Sequence, residues 1–208
     1  MCGFRRLLPG VLFLFVFWQA AAAAAPAGEC SGPGGAGLSH CLYRSLLPST
    51  GIAADCKSDS DCRIGYYYGQ PDQATWFRPP PGMVTMPKPE VIWHSATFAE
   101  VRVGCGPSCT WSYFFEGKRR QLSEPRRDVL QVDYRRLLMA QGDGRALPIR
   151  HIFSARDVVT IERDWSPGMT ASGAIKEIRF DPDGRLSFTW LKGDQRTLVT
   201  ERVTIPSF

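Results

Sequence analysis

The sequence predicts an all-β fold: mainly an antiparallel meander, a sandwich or curled sheet of about seven to nine strands, behind an irregular, disulfide-pinned N-terminal segment. Three observations carry this expectation. From Val91 onward, short runs rich in Val, Ile, Phe, Trp and Thr recur between turn residues. Several of these runs alternate with period 2, so that Ile178 and Phe180 share one face while Glu177 and Arg179 point away. Ahead of them, residues 26–90 are dense in Gly, Pro and Cys.

The chain opens as a secretory signal peptide over residues 1–25. Arg5 and Arg6 precede an apolar run from Leu7 to Trp18, and alanines from Ala20 to Ala25 offer small-residue cleavage sites. The run is too short for a spanning helix, which needs about 20 residues. We therefore expect export to the periplasm or beyond, with no transmembrane segment left after cleavage. Loss of Arg5 and Arg6 takes the formal charge from +5 to +3. That is mildly basic, and nucleic-acid binding, which needs a concentrated basic face, is not expected.

Residues 26–90 form the second unit. SGPGGAG at 31–37 is a flexible stretch, and RPPPGMVTMPKPE at 78–90 carries prolines that block helix interiors and central strands. We expect this unit to wrap over the rest rather than build a core.

Residues 91–208 form the β domain. ATFAEVRVG (96–104) and TWSYFFEG (110–117) come first, then IRHIFS (149–154) and VVTIERD (158–164). AIKEIRFD (174–181) and LSFTWLKG (186–193) are joined across DPDG, a turn in which Pro fixes φ and Gly takes the left-handed position. TLVTERVTI (197–205) closes the chain. Between these lies PRRDVLQVDYRRLLMAQ (125–141). It reads as two strands, VLQVD and LLMA, with a turn at Tyr134-Arg135-Arg136, because strands surround it. It also fits one helix with Leu130, Tyr134, Leu137 and Leu138 on a face, and the sequence leaves that alternative open.

Six cysteines remain after the signal, and an even number in an exported chain reads as disulfides. Spacing favours sequential pairing: Cys30 with Cys41, Cys56 with Cys62, and Cys105 with Cys109. GCGPSCT at 104–110 resembles a redox pair with one residue too many. A strand on either side makes it a hairpin staple, since a redox thiol needs a helix N-terminus to lower its pKa. Zinc is not expected, because the five-residue spacer between Cys56 and Cys62 exceeds the usual two to four. Asp55, Asp59 and Asp61 lack the ligand spacing of a calcium loop.

No catalytic set is evident. His40, His94 and His151 come with no nucleophile elbow, and Asp133, Glu162, Asp164 and Glu177 are carboxylates without an assigned role. No cofactor or metal is implied. The surfaces remain. Lys118, Arg119, Arg120, Arg126 and Arg127 form a basic stretch suited to an acidic partner. Tyr67 and Trp76, from the run containing Tyr66 and Tyr68, are aromatic residues of the kind that anchor interfaces. The expectation is a non-enzymatic, exported protein-binding protein, an inhibitor or immunity protein of an envelope-targeted toxin or enzyme. The alternatives are an envelope hydrolase and a lipid- or glycan-binding β module.

Overall fold

The computed structural model describes residues 28–34, 38–47, 49–107, 109–142, 144–154, 156–165, 167–194 and 196–206. The expected signal segment lies outside these residues.

The described chain is antiparallel β, arranged as four sheets in chain order. The first contains β1 (Glu29–Gly34), β2 (Leu38–Arg44), β3 (Thr50–Ser58), β4 (Asp61–Tyr68) and β5 (Thr75–Trp76). The second contains β6 (Glu90–Trp93), β7 (Phe98–Gly106) and β8 (Cys109–Glu116), with β9 (Gln121–Leu122) and β10 (Arg126–Arg127) both paired to β8. The third contains β11 (Val129–Asp133), β12 (Leu138–Gln141), β13 (Ala146–His151) and β14 (Asp157–Glu162). A one-turn helix, α1 (Ala171–Ala174), is capped by the Thr170 hydroxyl and leads into the fourth sheet. That sheet contains β15 (Ile175–Phe180), β16 (Arg185–Leu191) and β17 (Leu198–Thr204).

Three apolar layers join successive sheets. Ile52, Ala54 and Ile64 of the first sheet pack on Ala99, Val101, Val103, Tyr113 and Phe115 of the second. Phe98 and Phe114, on the second sheet's other face, meet Met139 and Ile152 of the third. Leu138, Ala140, Leu147 and Ile149, on the far side of the third, pack against Leu186, Phe188 and Trp190 of the fourth. The two middle sheets are thus buried on both faces. Strands in that position lose polar alternation, which is how β7 and β12 read: FAEV and LMAQ are buried throughout. β17 keeps alternation, with every second residue exposed, because its sheet has one open face.

The stretch 125–141 adopts the two-strand reading. β11 and β12 pair with Asp133 opposite Leu138. The Asp133 carboxylate accepts the backbone N–H of Arg135 (3.0 Å) and of Arg136 (3.1 Å) and so closes the turn. Leu137 takes a left-handed φ of 56° there. The DPDG hairpin also forms, with Gly184 at φ 88° and its N–H donating to the Asp181 carbonyl (3.1 Å).

Residues 26–90 are more regular than their composition predicts, since β1 to β5 occupy much of the unit. The reason lies in the glycines. A Cβ on Gly51 would come within 2.5 Å of the Tyr43 carbonyl and 2.6 Å of the Tyr67 hydroxyl. One on Gly65 would come within 2.6 Å of the Thr75 carbonyl. These glycines are packing positions within strands, where backbone and aromatic rings approach closely. Between Phe77 and Pro89 named strands are absent, as the prolines require.

Candidate protein-binding surface

Each disulfide closes a hairpin. Cys30–Cys41 links residues directly opposed on β1 and β2, Cys56–Cys62 does the same on β3 and β4, and Cys105–Cys109 ties the tip between β7 and β8. Cys105 therefore lies in the last residues of β7 and Cys109 opens β8, and among the described residues no helix N-terminus abuts either cysteine.

The histidines sit in polar networks. His94 Nε2 lies 3.1 Å from Glu100 Oε2. Arg102 donates Nε to Glu100 Oε1 at 2.8 Å and Nη2 to Oε2 at 3.1 Å, and the Ser112 hydroxyl donates to Oε1 at 2.8 Å. Glu100 is 0% exposed. Burial pushes its carboxyl up, but the bonds from His94, Arg102 and Ser112 and the Arg102 charge outweigh it and hold it below the usual range. A serine nucleophile needs the histidine as its immediate neighbour. Here the carboxylate stands between Ser112 and His94, so the network is a buried staple rather than a triad. His40 Nδ1 contacts Asp55, which also accepts from Arg63 Nη2 at 2.7 Å. Asp55 is thereby committed to a cross-strand ion pair. His151 lines a cleft of about 710 Å³ with Arg136, Leu138, Asp183 and Ile205. Of the carboxylates, Asp133 is tied to Arg136 (2.6 Å), Glu177 faces Thr189 across the fourth sheet, and Glu162 and Asp164 are exposed.

Lys118, Arg119 and Arg120 form the exposed turn between β8 and β9. The Arg120 guanidinium lies 5.1 Å from the Tyr68 ring centroid, which ties the turn to the first sheet. Gly117 N–H donates to the Thr97 carbonyl (2.8 Å), and Leu46 N–H donates to the Ala96 carbonyl (3.2 Å). Three loops thus gather at one end of the first two sheets. Leu46 stands among them, 62% exposed. Beside it is a cleft of about 310 Å³ lined by Arg44, Leu46, Leu47, Tyr67, Gln70 and Pro71. Tyr67 is only 2% exposed, so it floors the cleft instead of projecting from it. Burial raises its pKa, partly offset by Arg44.

The other expected contact residues lie elsewhere. Trp76 pairs with Gly65 on the outward face of the first sheet, beneath the Arg63 guanidinium at 4.3 Å. Arg127 sits opposite Trp111, five residues from the Glu116 end of β8, or roughly 17 Å along the strand. It pairs with Asp128 (3.4 Å). Arg126 turns toward the third sheet and donates to the Ser154 carbonyl (3.0 Å). Burial first, and the Arg150 charge second, lower its pKa. The structure therefore brings Lys118, Arg119, Arg120 and Tyr67 to one end and leaves Trp76, Arg126 and Arg127 apart.

Sequence reasoning missed Arg44 and Leu46, which belong to the unit read as irregular. The only signal was an apolar Leu46-Leu47 pair inside a loop. It also missed the Glu100 network, because Glu and Arg in FAEVRV imitate an exposed strand face. Compared with protein-family models, curated proteins and solved structures, the chain matches no family model, no curated protein and no solved structure.

Proposed function

We propose that this chain is an exported, periplasmic protein-binding protein, of the inhibitor or immunity-protein kind, whose partner presents an acidic face. The observation that carries this reading is the loop end at which Leu46 lies exposed beside Arg44, with the exposed turn Lys118–Arg120 joined to the same end through residues 96 and 97. Among the described residues, the Lys118, Arg119 and Arg120 side chains form no ion pair, and the Glu116 carboxylate is engaged by the Lys118 backbone N–H at 3.0 Å. An apolar centre in a charged rim is the anatomy of a protein interface: the centre supplies affinity and the rim steers encounter. The three hairpin disulfides suit an oxidising compartment. Among the described residues no helix is long and apolar enough to cross a membrane.

Pull-down from an envelope extract tests the reading. A stoichiometric protein partner is expected, bound more weakly as salt rises. Arg119→Glu with Arg120→Glu should slow association, and Leu46→Asp should speed dissociation. Recovery of no stoichiometric partner at low or high salt refutes it. Of the alternatives, the cleft beside Arg136 and Leu138 favours the lipid- or glycan-binding β module, and saturable lipid or glycan binding there would promote it.

A further inference from the structure

We propose that the outer edge of β17 is a self-association surface. A second copy of this chain adds its own β17 there, antiparallel about a two-fold axis, and joins the two fourth sheets into one. This goes beyond the protein-binding reading above and does not depend on it, since it uses another sheet and another surface.

Unpaired sheet edges invite pairing with other chains unless they are short, bulged or charged. Among the described residues, the other edges are blunted. The pairing of β1 shifts register between Ser31 and Gly34, and that of β11 between Val129 and Gln131. The pairing of β14 shifts opposite Ile149 and Arg150, and that of β15 between Ile175 and Glu177. β5, β9 and β10 are two residues long, and β6 is four. β17 differs: its seven residues pair with β16 without a shift. Lys192 N–H donates to the Thr197 carbonyl (2.9 Å) and Ile205 N–H to the Gly184 carbonyl (3.3 Å). Bonded and non-bonded pairs alternate in an antiparallel ladder. Val199, Glu201 and Val203 therefore turn their backbone groups to β16, while Leu198, Thr200, Arg202 and Thr204 turn theirs outward. Among the described residues, nothing pairs with those outward backbone groups.

The side chains point to a second copy, because the edge is self-complementary in one register. With the two-fold axis at Glu201, two carboxylates stand opposite each other, and with it at Arg202, two guanidinium groups do. With it at Val199, Arg196 meets Arg202 and the overlap shortens. Like charges directly opposite destabilise a sheet. With the axis at Thr200, Thr200 faces its counterpart, Leu198 faces Arg202 and Val199 faces Glu201, so no like charges meet. Leu198 is 58% exposed, and the apolar stem of Arg202 from the second copy covers it. The Arg202 head stays with Asp181 and Asp183 of its own copy, each at 3.0 Å. Glu201 is likewise held by Arg163 at 2.8 Å. Thr200 Oγ1 lies 3.0 Å from Thr189 Oγ1, so the facing threonines continue a row of hydroxyls across both copies. Each pair of outward residues exchanges two N–H···O=C bonds.

Sedimentation velocity of the full disulfide-bonded chain, from about 1 μM to about 1 mM, tests the proposal. A reversible monomer–dimer equilibrium is expected within that range. Thr200→Pro removes both N–H donors of the central pair, one from each copy. It spares the β16 ladder, because the Thr200 N–H points outward. Dimerisation should weaken by about 10- to 100-fold. Thr200→Lys keeps the backbone free to fold and should weaken it about fivefold. Mixing Thr200→Lys with Thr200→Glu should restore dimers, because in this register residue 200 faces itself. Amide exchange gives an independent readout. The Thr200 and Arg202 N–H groups should gain protection at the higher concentration, whereas those of Val199 and Glu201 are protected throughout. Three results would overturn the inference: a monomer over the whole range, a dimer equally tight in both Thr200→Pro and Thr200→Lys, or Lys and Glu variants that fail to pair when mixed. An extended peptide of another protein captured on this edge by a chain that stays monomeric would overturn it too.

Discussion

Replacing Glu100 with Gln removes a charge from a fully buried position while keeping its volume. Four hydrogen bonds converge on the carboxylate, from His94, Ser112 and two nitrogens of Arg102, at 2.8 to 3.1 Å. Bonds to a charged group are each worth about 1.5–3 kcal/mol, and breaking a buried pair costs about 3–5 kcal/mol. Glutamine keeps one acceptor oxygen, enough for Ser112 and Arg102 Nε. Its amide nitrogen then meets Arg102 Nη2 donor to donor. The Arg102 side chain is 36% exposed, so water repairs part of that conflict. The expected loss is about 2–3 kcal/mol, or a midpoint lower by about 4–12 °C for a chain of this size. The pH dependence has a definite sign. The Glu100 pKa is held below its unfolded value, so its charge stabilises the fold above about pH 4.3 and that contribution is lost as pH falls further. Glu100→Gln lacks this contribution at every pH. Urea denaturation followed by tryptophan fluorescence, with disulfides intact, should therefore give a gap at pH 7 that narrows at pH 3. A gap below about 0.5 kcal/mol at pH 7, the usual range for surface changes, or one that fails to narrow, refutes the staple.

Further predictions follow from the same packing. The Tyr68 hydroxyl is buried without a hydrogen-bond partner among the described residues, and burial pushes its pKa up to about 12. Tyr68→Phe should stabilise by about 1 kcal/mol in thermal unfolding. Because the neutral phenol is favoured in the fold, wild type also loses this contribution as pH rises above about 10, and the variant should not. Cys105→Ser with Cys109→Ser should cost about 2 kcal/mol on the loop-closure model and leave partner binding on the folded protein intact. Loss of binding at full stability would instead place the Cys105–Cys109 tip in the partner interface. Gly51→Ala must displace the Tyr43 carbonyl or Tyr67, at about 1–3 kcal/mol, and limited proteolysis should then open the first sheet before the others. A variant as stable and protected as wild type would show that this close approach is not needed.

The strands of the second half were legible because their side chains alternate and their turns carry Pro and Gly at fixed offsets. Leu186, Phe188 and Trp190 do face the core, and DPDG does turn the chain. The first half was illegible for the opposite reason. GIAAD and RIGYYY pair as β3 and β4, yet their small residues carry little strand propensity. What they carry is space, which Tyr67 and the Thr75 backbone occupy. The basic stretch showed the reverse error of proximity. Arg120 and Arg126 are close in sequence, but β8 sends one to an open end and the other toward the third sheet.

Sequence alone determined the antiparallel class, the Cys105–Cys109 hairpin staple and the proline-bound gap between the first two sheets. All three are set by neighbours a few residues apart, through dihedral limits, period and short loops. Only the tertiary structure decided that the sheets stack in chain order, that Glu100 is buried rather than exposed, and that the Leu46 loop and the Lys118–Arg120 turn gather at one end. Those outcomes depend on which faces meet across tens of residues, and local pattern does not encode the partner of a face.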